Sequence, residues 1–136
     1  QIKGYDLKIQ LYTVPGQVKY NATRKLVLKG VDGIVFVADA QEQMREKNIR
    51  SLNQLHENLV NYHESIFKIP LVLHYNKVNP RNQGIPILPT TVLEKDLNSK
   101  LKAPSFEASA ITGYNVPETL KKIISLTVLS IQKKLM

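Results

Sequence analysis

Hydrophobic and polar residues change their period several times along this chain. Tyr5, Leu7, Ile9 and Leu11 alternate with Asp6, Lys8, Gln10 and Tyr12, the period-two pattern of a strand with one wet face. Val18 to Lys29 reads as a short helix, and Gly30 stops it. Ile34 to Ala38 is apolar at every position, which predicts a parallel strand buried on both faces. From Met44 to about His63 the apolar residues Ile49, Leu52, Leu55, Leu59 and Tyr62 recur every three or four positions, the stripe of an amphipathic helix. Leu71 to Tyr75, opened by Pro70, predicts a second inner strand. The stretch Asn79 to Pro89 holds three prolines and Gly84 and reads as loop. Thr91-Val92-Leu93-Glu94 has the form of a capping box for a short helix to Leu97. Ser105 to Ala110 predicts a small strand. Asn115-Val116-Pro117-Glu118 predicts the cap of a last helix, with Leu120, Ile123, Ile124, Thr127, Val128, Ile131 and Leu135 as its apolar stripe.

Strands separated by helices of these lengths predict an α/β fold, a parallel sheet with right-handed crossovers and helices on both faces. Ligands of such sheets bind beyond the C-terminal ends of the strands. Four strand exits therefore matter: Thr13 to Gln17, Asp39-Ala40, Asn76 to Asn79, and Ala108-Ser109-Ala110.

Each exit carries usable chemistry. In Thr13-Val14-Pro15-Gly16-Gln17 the proline presets φ and the glycine supplies a positive φ, so a tight turn is favoured. A glycine with a free backbone N–H followed by glutamine is an arrangement that can sense a terminal phosphate and orient a water. Lys77 can lay its aliphatic stem over a planar base and keep its ammonium at the rim, Asn76 can tie neighbouring loops through its amide, and a base edge would be read at Asn79. A backbone N–H in Ser109-Ala110 could donate to an exocyclic carbonyl. Asp39 has two readings, support for a phosphate site or cap of the helix that follows. Asn, Ser, Thr and Gly are common in any βα loop; it is their order and spacing over four exits that carries weight.

These residues bring out a family likeness. The chain resembles small Ras-like GTPases, and among them the bacterial gliding-motility GTPases of the MglA type, through Leu11 to Gln17, Tyr20 to Lys25, Gly30 to Asp39, Asn76-Lys77 and Glu107 to Ala110. The likeness runs over nearly the whole chain. It implies the three-layer P-loop NTPase fold with a mostly parallel sheet, with residues 1–136 forming the C-terminal two-thirds to three-quarters of a small GTPase domain. It also implies roles. Gly16 would offer its N–H to the γ-phosphate and Gln17 would orient the attacking water. Thr13, Val14 and Pro15 would belong to the second switch, and Asn76, Lys77, Asn79, Ser109 and Ala110 would form the guanine-binding loops. GTP and GDP would be the ligands, with Mg²⁺ as cofactor and a roadblock-type GTPase-activating protein as partner, in cell polarity or gliding motility.

The chain departs from the family pattern at three places. Thr13 stands where an aspartate usually binds magnesium through a water; its hydroxyl can hold that water but brings no charge. Asn79 stands where a carboxylate accepts two hydrogen bonds from guanine. Losing one charge-assisted bond costs roughly 1.5–3 kcal/mol, so either guanine binds more weakly or Asn79 is a turn residue before Pro80. The third departure is the absence of a G-x-x-x-x-G-K-[ST] loop and of a first switch. That predicts an N-terminally truncated fold whose sheet lacks the strand beside Ile34 to Ala38. A half-domain completed by another chain is the alternative. Taken together these departures keep a second function open, a non-enzymatic pseudo-GTPase interaction module.

Composition changes this picture little. With 136 residues, 43% of them apolar, the chain suits one domain with a real core. It has no cysteine, hence neither disulfides nor thiolate metal sites, and no apolar run long enough for a transmembrane segment. No signal peptide is visible, and the expected location is cytoplasmic. The net charge of +8 is spread along the chain, apart from Lys121-Lys122 and Lys133-Lys134, so it reads as solvation and not as a nucleic-acid surface. His56, His63 and His74 have no metal-ligand spacing and read as surface or boundary residues.

Overall fold

The computed structural model describes residue 28 and residues 30–77, 86–109 and 113–135. The strand expected at 5–12, the turn 13–17, most of the helix expected at 18–29, Asn79 and Ala110 lie outside the described residues. Among the described residues, three parallel strands form one sheet in the order β1 (Ile34–Asp39), β2 (Leu71–Asn76), β3 (Ser105–Ala108). A 3-10 turn, Glu42–Met44, leads into α1 (Arg45–Asn61). Helix α2 (Thr90–Leu93) runs on into a π-helical turn, Glu94–Asn98, and α3 spans Val116–Leu135.

Strand periodicity sorts the core into two faces. Register sets Ile34 beside Leu71, Phe36 beside Leu73 and Ala38 beside Tyr75. These side chains share one face, where Leu71, Leu73, Tyr75 and Ala38 are buried in one cluster with Leu59 of α1, Leu93 of α2 and Leu97 of the π-helical turn. Val72 and His74 point the other way, toward α3, whose buried positions are Thr119 and Ile123. Helices thus cover both faces, and the three-layer parallel architecture expected from the sequence is present. The approach of α3 is close: a Cβ on Gly33, just before β1, would collide with Thr127 Oγ1.

The ends of the elements follow local chemistry. Leu28 is helical and buried, and Gly30 beyond it has φ +75°, as expected of a glycine that stops a helix. His63 takes the left-handed conformation (φ +60°) after α1, and its N–H donates to Val60 O at 2.9 Å.

Three expectations need correction. Ile34 to Ala38 is not buried throughout: Ile34, Val35 and Phe36 are half-buried and Val37 is 59% exposed, and among the described residues β1 has one neighbouring strand, β2. His74 is not a boundary residue but buried, with Nδ1 2.9 Å from Thr119 Oγ1. The hydroxyl proton of Thr119 goes to Asn115 O at 2.9 Å, so its oxygen must accept from His74 and the neutral imidazole carries its proton on Nδ1. Thr91 and Glu94 do not form a capping box. The helix starts at Thr90 behind Pro89 without a side-chain cap, and the Glu94 carboxylate turns inward to accept from Ser105 Oγ and from Asn98 Nδ2 at 2.8 Å. Asn115 stands immediately before α3 as expected; its carbonyl accepts from Thr119 Oγ1 at 2.9 Å, and its Nδ2 donates to Glu107 O of β3 at 2.8 Å.

Candidate functional site

Parallel register brings the three strand exits level. Asp39 pairs with Asn76, and Asn76 with Ala108. The ladder continues one step beyond the strands, Ala40 N–H donating to Asn76 O at 2.9 Å and Lys77 N–H to Ala108 O at 2.7 Å. Asn76, Lys77 and Ser109, three of the sequence candidates, are therefore brought together along one rim, with Asp39 at its other end.

Asp39 caps neither the 3-10 turn nor α1 with a side-chain hydrogen bond. Its Oδ1 accepts from Gln41 N–H at 2.9 Å, a local turn that swings the chain toward the 3-10 segment before α1. Its backbone is held separately. Asn48 of α1 is buried; its Oδ1 accepts from Asp39 N–H at 3.2 Å and its Nδ2 donates to Asp39 O at 2.7 Å. One amide side chain thus occupies the outward donor and acceptor of the last β1 residue, as a neighbouring strand would. The chain returning after residue 85 is pinned to the same exit, with Glu42 N–H donating to Pro86 O at 3.0 Å and Leu88 N–H to Ala40 O at 2.7 Å.

Lys77 leaves β2 with its ammonium engaged from two sides, by Thr90 Oγ1 at 3.0 Å and Glu107 Oε1 at 3.1 Å. Its side chain is 28% exposed and that of Glu107 47%. The loop after β3 folds on itself: Ser109 N–H donates to Tyr114 O at 3.1 Å and Gly113 N–H, at φ +79°, to Ser109 O at 2.8 Å.

Beneath the rim, burial pushes the Tyr75 phenol far up, and the Glu94 carboxylate nearby acts the same way without closing a hydrogen bond of ordinary geometry. Burial works against the charge on Glu94, but hydrogen bonds from Ser105 and Asn98 outweigh it and hold this carboxyl below its usual range. No group of three His, Cys, Asp or Glu side chains suited to a metal occurs among the described residues, and one oxygen of Asp39, the carboxylate at the β1 exit, is already bonded to the backbone. The described residues do not make a magnesium site by themselves.

Sequence reasoning missed Asn48, Thr90 and Glu107. Asn48 did leave a signal, since positions 48, 52, 55 and 59 fall on one helical line and a polar residue there faces the core. Thr90 left none, and Glu107, read only as the start of the stretch Glu107 to Ala110, gave no sign of its partner, which tertiary structure sets.

Residues 1–128 match a family model described as the Ras family. The chain is 41% identical over 136 residues to the mutual gliding-motility protein MglA of Myxococcus xanthus (strain DK1622). That alignment spans 98% of this chain and 66% of the length of that relative.

Proposed function

The chain belongs to the Ras family, and from that premise we propose that it is a guanine-nucleotide switch of the gliding-motility branch, binding GTP and GDP and hydrolysing GTP slowly. The observation that carries this reading is the level rim of strand exits, with Asn76-Lys77 and Ala108-Ser109 joined by the Lys77 N–H to Ala108 O bond at 2.7 Å. The two exits that this reading assigns to the base lie side by side, at the end of the sheet where such sheets bind ligands.

In this reading Lys77 flanks the base, the Ser109-Ala110 loop donates to its carbonyl, and Asn79 reads its edge with one hydrogen bond fewer than a carboxylate. Gly16 senses the γ-phosphate and Gln17 orients water for in-line attack. Residues 1–136 are the part of the domain from the strand before the second switch to the last helix. The phosphate-cradling loop and most ligands of a Mg²⁺ ion come from a preceding segment, whose strand pairs with the open side of β1. Magnesium supplies charge neutralisation at the phosphates when bound. A roadblock-type protein accelerates hydrolysis, and the nucleotide state is the output, in cell polarity or gliding motility.

Denaturing purified full-length protein and identifying the released nucleotide tests this. Stoichiometric guanine nucleotide is expected. An empty site that also ignores GTP and XTP would overturn the reading in favour of a pseudo-GTPase interaction module.

A further inference from the structure

The Lys77 ammonium does not lie free over the candidate base site. It is held by a carboxylate on β3 and a hydroxyl on the first residue of α2, at 3.1 and 3.0 Å. Three separate elements, the exit of β2, the end of β3 and the start of α2, meet at this one nitrogen. Among the described residues the only other side-chain ion pair is Arg45–Asp96, which joins α1 to the π-helical turn.

A lysine side chain carries several rotatable bonds, and its rotamer freedom is lost when a ligand is clamped beneath it. Where protein partners have already fixed the ammonium, the ligand does not have to bear that ordering. The carboxylate has a second effect: Glu107 precedes Ala108-Ser109, so an ion pair from Lys77 to Glu107 draws the two candidate base loops together beyond the backbone bond that already links them.

We propose that Glu107 is a positioning residue for the base site: acting through Lys77, and assisted by Thr90, it preorganises the lysine stem and slows release of bound nucleotide. This rests on the guanine-nucleotide reading above. Because both partners are partly exposed, the contribution is that of a partly exposed ion pair and is screened by salt.

The test is release of a fluorescent GDP analogue from full-length protein, chased with unlabelled GDP. Glu107→Gln keeps the side-chain length and an acceptor oxygen but removes the charge. It is expected to speed release by about two- to fivefold at low salt, and the difference from wild type should shrink as salt rises. In a Lys77→Ala background the same substitution should change nothing. Thr90→Val, which keeps the shape and removes the hydroxyl, should act in the same direction and also need Lys77. Equal release rates for wild type and Glu107→Gln, or an effect that persists without Lys77 or is indifferent to salt, would overturn the proposal while leaving the nucleotide reading intact. Failure of the wild type to take up the analogue, or any other guanine nucleotide, would overturn both.

Discussion

The two longest of the described strands make an instructive pair. β1 reads Ile-Val-Phe-Val-Ala-Asp and β2 Leu-Val-Leu-His-Tyr-Asn. By composition β1 is the more hydrophobic, yet β2 is the buried one: Leu71 through Tyr75 are all buried, with a histidine and a tyrosine among them, while Val37 of β1 stands 59% exposed. The difference is position. β2 has a described strand on either side and helices on both faces; β1 has a described strand on one side only. Burial is thus decided by neighbours, and apolar content tells only what a strand can tolerate.

Substitutions can break or sharpen this contrast. The largest effect should come from Leu73→Ala in β2, a fully buried side chain whose removal should cost about 2–5 kcal/mol in urea unfolding; a loss like that of a surface change would mean that β2 is not the centre of the core. Next comes Asn48→Ala, which leaves the outward N–H and C=O of Asp39 without their partner and should cost about 1–3 kcal/mol. If stability is unchanged, the amide is not what terminates β1.

A third test uses protons. Burial lowers the pKa of His74 from its ordinary 6.5, so the unfolded chain takes up a proton that the folded chain resists. The stability contributed by His74 is therefore present above about pH 6.5 and is lost as pH falls through its lowered folded value. Unfolding free energy measured across that window should decline on acidification, and His74→Asn should flatten the decline. Glu94, also held low, should add a further decline below about pH 4.5. The smallest effect belongs to Val37→Thr, expected within about 0.5 kcal/mol. A much larger loss in full-length protein would reveal that another strand covers β1 there.

Much of the fold could be read from periodicity. The three described strands and α1, α2 and α3 lie close to where apolar spacing put them, because a helical stripe or an unbroken apolar run reports on backbone geometry alone. The level rim of strand exits followed from the parallel-sheet rule, and Asn76, Lys77 and Ser109 fell on it. What could not be read depended on three-dimensional partners. Glu94 sits at the right distance from Thr91 for a capping box, yet Ser105 and Asn98 offer its carboxylate better donors. His74 looked like a boundary residue because nothing local announces Thr119, 45 positions away, as its partner. Thr13, Val14, Pro15, Gly16, Gln17, Asn79 and Ala110 lie outside the described residues, and their roles stand as proposals.

The amide of Asn48 has one more consequence. In the β1–β2 ladder Ile34 and Ala40 donate toward β2, so the alternate residues Val35, Val37 and Asp39 turn their backbone groups outward. Such an edge invites pairing with the strands of other molecules. With Asn48 filling the place at Asp39, Val35 and Val37 are the β1 residues whose outward groups would offer a ladder on a bare flank, and two residues give a stray strand little purchase. A side chain from a neighbouring helix thereby guards against clumping in any state of the protein in which that flank of β1 lies bare.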